Sequence, residues 1–323
     1  MLQVFRVLLR AARRGGRHQV VHAHGSTAII VCAAARVLFR RQLRGVLLLF
    51  TFHGWVENTW KQRLIARAEI LLARQAAMVI VCSPAQADRL TCLPRWTVHY
   101  IPNGVRVKDF ARDRALARRR LRELLGLPEN ARIVVNIGRL VREKRQDVFL
   151  RAARRILAEV GETYFMLVGA GPDRDRLELL PVRRELGSRV RFLGLVDDVA
   201  TITCAADVLL HTADVEASPR VIAEAMASRT AVVATRVGGV PWQVRDGLDG
   251  FLVPRADDAA AAARVIDLLT DDLLYQAIVA QAFDRVHSDF TIGRMEQSVY
   301  SVYVTGLRTR GEASLRGEAC CPR

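Results

Sequence analysis

The sequence predicts an α/β protein of two domains, each built on a parallel sheet flanked by helices. Three observations carry this. Short apolar runs alternate with helical segments along nearly the whole chain, the pattern that builds parallel sheets. The stretch Gly45–Phe52 carries V-L-L-L-F-T-F, a continuous apolar run expected of a parallel strand buried on both faces. And 323 residues, 51% of them hydrophobic, give room for two ordinary cores and argue against wholesale disorder.

Taken in order, residues 2–14 place Leu2, Phe5, Leu8, Leu9 and Ala12 at helical spacing, with Gly15 and Gly16 as the stop. A short strand at 19–23 leads to a helix at 26–39, and the apolar run ends in His53-Gly54. A helix at 57–75, a strand at 77–82 and a helix opened by Ser83-Pro84 follow. The strand at 97–101 runs into I-P-N-G-V, a turn, and an Arg-rich helix at 111–125 comes next. Strands at 133–137, 164–168, 190–193, 206–211 and 231–235 then alternate with helical stretches, and helices at 257–269 and 293–305 complete the set.

Charge is placed unevenly. Residues 1–120 hold 22 Lys and Arg against 5 Asp and Glu, while the remainder holds 27 against 28, so the whole excess behind the formal charge of +16 lies in the first third. Such a surface suits anionic lipid, phosphorylated substrates or nucleic acid, but the chain shows no nucleic-acid module or aromatic platform. Its six cysteines have no C-x-x-C spacing. Cys32, Cys82 and Cys204 lie in apolar surroundings, as inert thiols in a reducing cytoplasmic setting would. No run approaches the roughly 18 apolar residues of a spanning helix. His22 and His24 point the same way from a strand end, yet no third ligand is spaced to complete a metal site, so no metal is expected.

The chemistry concentrates in Val215–Val233, V-E-A-S-P-R-V-I-A-E-A-M-A-S-R-T-A-V-V. Pro219 suits the first turn of a helix, which should start there and carry Glu224, leaving Glu216 on the loop before it. Both carboxylates can then face the space above a helix N-terminus, where backbone N–H groups and the dipole favour an anion. Upstream, strand 133–137 ends in Gly138 and Arg139 with Lys144 five residues on, a glycine that lets phosphate approach and two cations to neutralise it.

The pattern E-x7-E with A-M-A, the G-R-L-x3-K-R turn 77 residues before Glu216, V-V-H-A-H-G, I-P-N-G-V and D-G-x-x-G-F-L-V-P together resemble the retaining family 4 glycosyltransferases. That resemblance implies the GT-B fold, two Rossmann-like domains facing across a cleft. It places an N-terminal acceptor-side domain at 1–112, a nucleotide-sugar domain at 113–290, a helix crossing back at 291–308 and a disordered tail at 309–323. Family members usually open with further βα units, so the resemblance also implies that the first half of the N-terminal domain is absent here.

By the same resemblance, Arg139 and Lys144 hold the diphosphate, Glu224 the ribose, and Glu216 the sugar hydroxyls. His53 helps place sugar and acceptor. Gly138, Gly169, Gly194 and the Ser218, Pro219, Arg220 and Val221 backbone line the donor, a UDP- or GDP-sugar, with no cofactor and no metal. The implied reaction retains anomeric configuration, while the basic N-terminal surface points to a sugar or lipid-linked acceptor and peripheral contact with the anionic inner membrane face, and the cysteines to the cytoplasm. Ala217 stands where glycine is usual, and S-R-T-A at 228–231 replaces an x-G-x-P turn. Two alternatives stay open. One is a donor-binding pseudo-enzyme or part of a two-chain enzyme. The other, a nucleotide-sugar epimerase, needs acid and base carboxylates in a domain that has few acids.

Overall fold

The computed structural model describes residues 19–315 except Val56 and Asn58. The expected helix at 2–14 with its Gly15-Gly16 stop, and the Cys320-Cys321 end of the tail, lie outside the described residues. Two compact units emerge, one of residues 1–102 with 293–323 and the other of 103–292.

The first unit has a four-stranded parallel sheet in the order β1-β2-β3-β4: Gln19–His24, Val46–Phe52, Met78–Val81 and Val98–Tyr100. Helices α1 (Ser26–Leu38) and α2 (Trp60–Leu72) connect the first three strands. Every residue of β2 is buried, as its unbroken apolar run requires. Side-chain alternation splits it between two cores. Val46, Leu48, Phe50 and Phe52 pack with Ile29 and Ala33 of α1. Leu47 and Leu49 pack with Met78, Ile80 and Val302.

The second unit carries six parallel strands in the order β10-β9-β8-β5-β6-β7. These are β5 Arg132–Ile137, β6 Thr163–Val168, β7 Val190–Gly194, β8 Val208–His211, β9 Ala231–Thr235 and β10 Phe251–Val253. The chain begins at β5, winds outward through β6 and β7, then returns to lay β8 on the other side of β5. The order therefore reverses between β5 and β8, where open α/β sheets leave a crevice at the carboxyl ends of the strands. Helices α3 (Arg114–Leu125), α4 (Gln146–Glu159), α5 (Val199–Ala205), α6 (Arg220–Ala227), α7 (Asp258–Thr270) and α8 (Asp272–Asp289) clothe the sheet. Alternation again feeds two cores: Ile133, Val135 and Leu209 face one, Val134, Val208 and Leu210 the other. Each such side chain contributes about 1.5–3 kcal/mol by leaving water.

Three boundaries differ from the sequence reading. The first unit ends at Pro102, ten residues before 112, because Val105 already bridges Thr291 and accepts the Ile292 N–H at 3.0 Å within the second unit. Gly104 makes this approach possible, since a Cβ there would stand 2.7 Å from the Thr291 carbonyl oxygen. Helix α9 runs Ile292–Leu315, beyond the expected 305 and into the segment expected to be disordered. Its Met295, Val299, Val302, Tyr303 and Leu307 pack against the first unit's Leu47–Met78 core, which carries the periodicity onward. Pro219 lies one residue outside α6, as its N-cap, with ψ of 117°.

Candidate functional site

Loops at the carboxyl ends of β5, β8 and β9 form the site in the second unit. Lys144 rides a short 3-10 turn, Arg142–Lys144, after β5. That turn is fastened to the β8 exit: Thr212 Oγ1 donates to the Lys144 carbonyl at 3.0 Å and Asp214 N–H to the Glu143 carbonyl at 2.8 Å. Asn136, buried in β5, donates from Nδ2 to the Leu210 carbonyl at 2.7 Å. Arg145, next to Lys144, sits at φ 50°, a left-handed position unusual outside glycine. Its guanidinium holds that turn by pairing with Asp147 and with Asp214, each at 3.0 Å.

The result is a direct ion pair between Lys144 Nζ and Glu216 Oε1. His211, the last residue of β8 and 2% exposed, places Nε2 2.9 Å from the same oxygen. Burial pushes the Glu216 carboxyl up, but the His211 hydrogen bond and the Lys144 charge together outweigh it and hold the group below the usual carboxylate range. Both contacts fall on Oε1, so Oε2 takes no partner among the described residues and is left to accept from a ligand.

The backbone of Glu216 is fixed from β9. Gly239 N–H donates to its carbonyl at 3.1 Å, and a Cβ on Gly238, at φ 49°, would stand 1.8 Å from that oxygen. Ahead of α6, Asn103 N–H donates to Ser218 Oγ at 3.1 Å and Asn103 Nδ2 to the Ser218 carbonyl at 2.8 Å. Gln243 Nε2 reaches the Pro219 carbonyl at 3.3 Å. These side chains hold the backbone extended through Pro219 and delay the helix to Arg220; Ile222 N–H turns back onto the Pro219 carbonyl at 3.3 Å, while those of Arg220 and Val221 have no acceptor inside the helix. Ala217 has no positive φ and so fits without glycine. At the far end of α6 it is Arg229 that adopts φ 55°, with Thr230 N–H closing onto the Ala225 carbonyl at 3.0 Å.

Glu224 is half-buried one turn into α6, its only described partner an exposed Arg220 at 3.3 Å. Burial raises its carboxyl above the ordinary range, with Arg220 partly offsetting. Such an acceptor gains most from hydroxyl donors brought by a ligand.

Other expected residues fall differently. Arg139 is exposed and its guanidinium takes no partner among the described residues, so the two cations of the β5 turn do not meet on one group. Gln146 Nε2 instead holds the Arg139 carbonyl at 2.9 Å. Gly138, at φ 157°, leaves its face to the Lys144 stem, 3.9 Å from where a Cβ would be. Gly169 answers a packing need, because a Cβ there would stand 2.0 Å from the Gly138 carbonyl oxygen. Its N–H donates to the carbonyl of Gly194, which sits at φ 70° with only the Arg174 guanidinium, 3.9 Å away, near where a Cβ would be, so Gly194 answers a backbone conformation instead. The D-G-x-x-G-F motif is likewise structural, burying Asp249 under Arg245 and Arg285.

His53 belongs to the first unit, at the end of β2. Its Nε2 lies 3.1 Å from His24 Nδ1, and the His22 and His24 rings are 4.1 Å apart. His22 is bonded to Tyr303 Oη at 2.7 Å and Thr51 Oγ1 at 2.6 Å. Burial, then the neighbouring His24 and His53, lower its pKa to about 4. Among the described residues no three His, Cys, Asp or Glu groups are placed to hold a metal ion. Cys32, Cys82, Cys92 and Cys204 take part in no disulfide, and burial raises Cys32 and Cys82 to about 11.

Residues 117–285 match the family described as glycosyl transferases group 1, and residues 1–109 match glycosyltransferase family 4. The chain is a family 4 glycosyltransferase. This glycosyltransferase is 35% identical over 196 residues to the phosphatidyl-myo-inositol mannosyltransferase of Mycolicibacterium smegmatis, a match covering 58% of this chain and 47% of that one. It is 29% identical over 205 residues to the N-acetyl-alpha-D-glucosaminyl L-malate synthase of Bacillus anthracis, covering 62% and 54%. The chain thus spans about half the length of the curated relatives it matches. HepE of Anabaena, crystallised with UDP, superposes with a TM-score of 0.82 at 24% identity, over 94% of this chain and 82% of that one. The glycosyltransferase shares the GT-B fold of two Rossmann-like α/β units.

Proposed function

We propose that this glycosyltransferase moves a sugar from a nucleoside diphosphate sugar, UDP-linked by preference, to an acceptor with retention of anomeric configuration. The observation that supports it is the meeting of the β5 and β8 loops, Lys144 against Glu216, at the point where the strand order reverses. In this reading Lys144 leaves Glu216 for the diphosphate and balances the charge that develops as the sugar–phosphate bond breaks. Glu216, oriented by His211, accepts hydrogen bonds from the sugar through Oε2. Glu224 accepts from the ribose hydroxyls, and the Arg220 and Val221 N–H groups at the start of α6 face the donor phosphates or sugar.

No protein nucleophile is required. The leaving phosphate oxygen takes the acceptor hydroxyl proton on the face where the new bond forms, so the chain contributes positioning and charge. Arg139 swings onto the diphosphate only when donor is bound, and His53, at its strand end in the first unit, helps place sugar and acceptor. UDP bound to HepE supports uridine as the base. The inositol lipid in the mannosyltransferase's name supports a lipid-linked acceptor, which fits work at the cytoplasmic membrane face. Among the described residues no helix is long and apolar enough to cross a membrane.

The test is to incubate purified protein with UDP-sugars and mixed lipid and sugar acceptors and read the product anomer by NMR. Product with the donor's configuration supports the proposal and an inverted anomer sinks it. UDP binding without any product favours a donor-binding protein instead.

A further inference from the structure

Three imidazoles crowd the carboxyl end of the first unit's sheet, and their mutual contacts leave one ring nitrogen over. His22 and His24 lie two apart on β1, so both side chains leave the same face of the strand. His22 is engaged through both nitrogens, by Tyr303 Oη at 2.7 Å and Thr51 Oγ1 at 2.6 Å. His53, just past β2, is engaged twice as well. Its Nε2 lies 3.1 Å from His24 Nδ1, and its Nδ1 lies 3.7 Å from the Sγ of Cys82, just past β3, within the longer reach of sulfur. Of the six ring nitrogens, His24 Nε2 is the one that takes no partner among the described residues.

That nitrogen is open to a ligand. His24 is exposed, whereas His22 is half-buried and Cys82 buried. Gly25 beside it, at φ 77°, has nothing within 4 Å of where a Cβ would stand, so no neighbour closes over the backbone there. Burial lowers both His24 and His53 below the ordinary imidazole value, with His53 adding to the effect on His24, so at pH 7 the pair is neutral and carries one proton per ring. The string Cys82, His53, His24 then runs in one of two directions. With the Cys82 thiol donating to His53, His24 Nε2 ends as an N–H donor; with His53 donating to the sulfur, it ends as an open acceptor. A sugar hydroxyl both donates and accepts, so it satisfies either state, whereas a phosphate oxygen satisfies only the first.

We propose that His24 is the histidine of this trio that touches a hydroxyl of the acceptor, and that His53 is a positioning residue acting through it. The inference rests on the sugar-transfer reading and deepens the part that reading gives to His53. Its test uses the different reach of two amides, since the Asn amide falls near the Nδ1 position of a histidine and the Gln amide near Nε2. Variants are assayed at saturating UDP-sugar with the acceptor that yields product in the parent. His24→Ala and His24→Asn should raise the acceptor KM by about five- to tenfold, the scale of one lost hydrogen bond, with the donor KM within about twofold. His24→Gln should recover most of that loss. A His24 needed only to brace His53 gives the opposite order, with His24→Asn recovering and His24→Gln failing.

Chemical labelling reads the same nitrogen without turnover. Diethyl pyrocarbonate acylates an accessible neutral imidazole, so peptide mapping of the parent should find His24 modified well ahead of His22 and His53. Circular dichroism checks that each variant is folded. The proposal is overturned if His53 is labelled as fast as His24, or if His24→Asn keeps the parent's acceptor KM. A parent that yields no product with any acceptor sinks the proposed function and this contact with it, whereas a working parent with the opposite order of amides sinks this inference alone.

Discussion

Near the carboxyl end of the four-stranded sheet stand His22, bonded to a threonine and a tyrosine and packed beside His24, and the hydrogen-bonded pair His24 and His53. At the carboxyl end of the six-stranded sheet stand Lys144, Glu216, Glu224 and a buried His211, with formal charges of both signs in contact. Both edges are built from parallel strands, so architecture does not distinguish them. The difference lies in strand order. The described strands of the first unit follow one another as β1-β2-β3-β4, whereas the second unit doubles back so that β8 lies against β5. Only that reversal lets two loops 72 residues apart in sequence close on one ion pair. A fold supplies edges, and the switch point together with its side chains makes one of them the site we propose for a phosphorylated donor.

The sharpest way to break this comparison is to remove charge from one edge at a time. Lys144→Ala should slow sugar transfer by about 10²–10³-fold, the scale of losing a preorganised charge on a leaving group, with Glu216→Gln close behind. His24→Ala, in the other unit, should leave UDP affinity within about twofold by calorimetry. Equal losses of UDP affinity from both would dissolve the distinction.

Next in size are the glycines that let the site's backbones touch. Gly169→Ala and Gly238→Ala each drive a methyl into a carbonyl oxygen, at 2.0 and 1.8 Å, from positive φ. Each should destabilise the second unit by about 3 kcal/mol in thermal unfolding. Gly161→Ala, whose Cβ meets nothing within 4 Å, should be near neutral.

Much of this was legible in the sequence. The alternating strands, the unbroken run of β2 and the Glu216–Glu224 spacing follow from local chemistry. What was not legible depends on order within the sheet. Nothing local to Lys144 says that β8 lies beside β5, so its pairing with Glu216 and the support from His211 and Asn103 stayed hidden. Gly238 was visible as a glycine, but its partner, a carbonyl 22 positions away in the chain, was not. Gly169 read as lining the donor because a glycine that admits a ligand and one that admits another backbone look alike.

Smaller effects are set by pH. In the proposed role Glu224 accepts from a ribose most strongly when ionised, and burial has raised its pKa. UDP affinity should therefore fall on acidification at a pH above that of an ordinary carboxylate, and Glu224→Gln should weaken binding and flatten the profile. In the first unit His22 is held neutral, with its pKa lowered to about 4. The unfolded chain takes up the proton first, near the ordinary value of about 6.5, so its contribution to stability is full above that pH and is lost as pH falls towards 4. Melting of the first unit should shift down across that window, and His22→Gln should shrink the shift.

The most direct test of the switch-point site is calorimetric titration of UDP and UMP into the parent and into Lys144→Ala. If Lys144 turns from Glu216 to the second phosphate, the parent should prefer UDP and the variant should lose most of that preference while keeping its UMP affinity. An unchanged UDP-to-UMP ratio in Lys144→Ala would contradict the account.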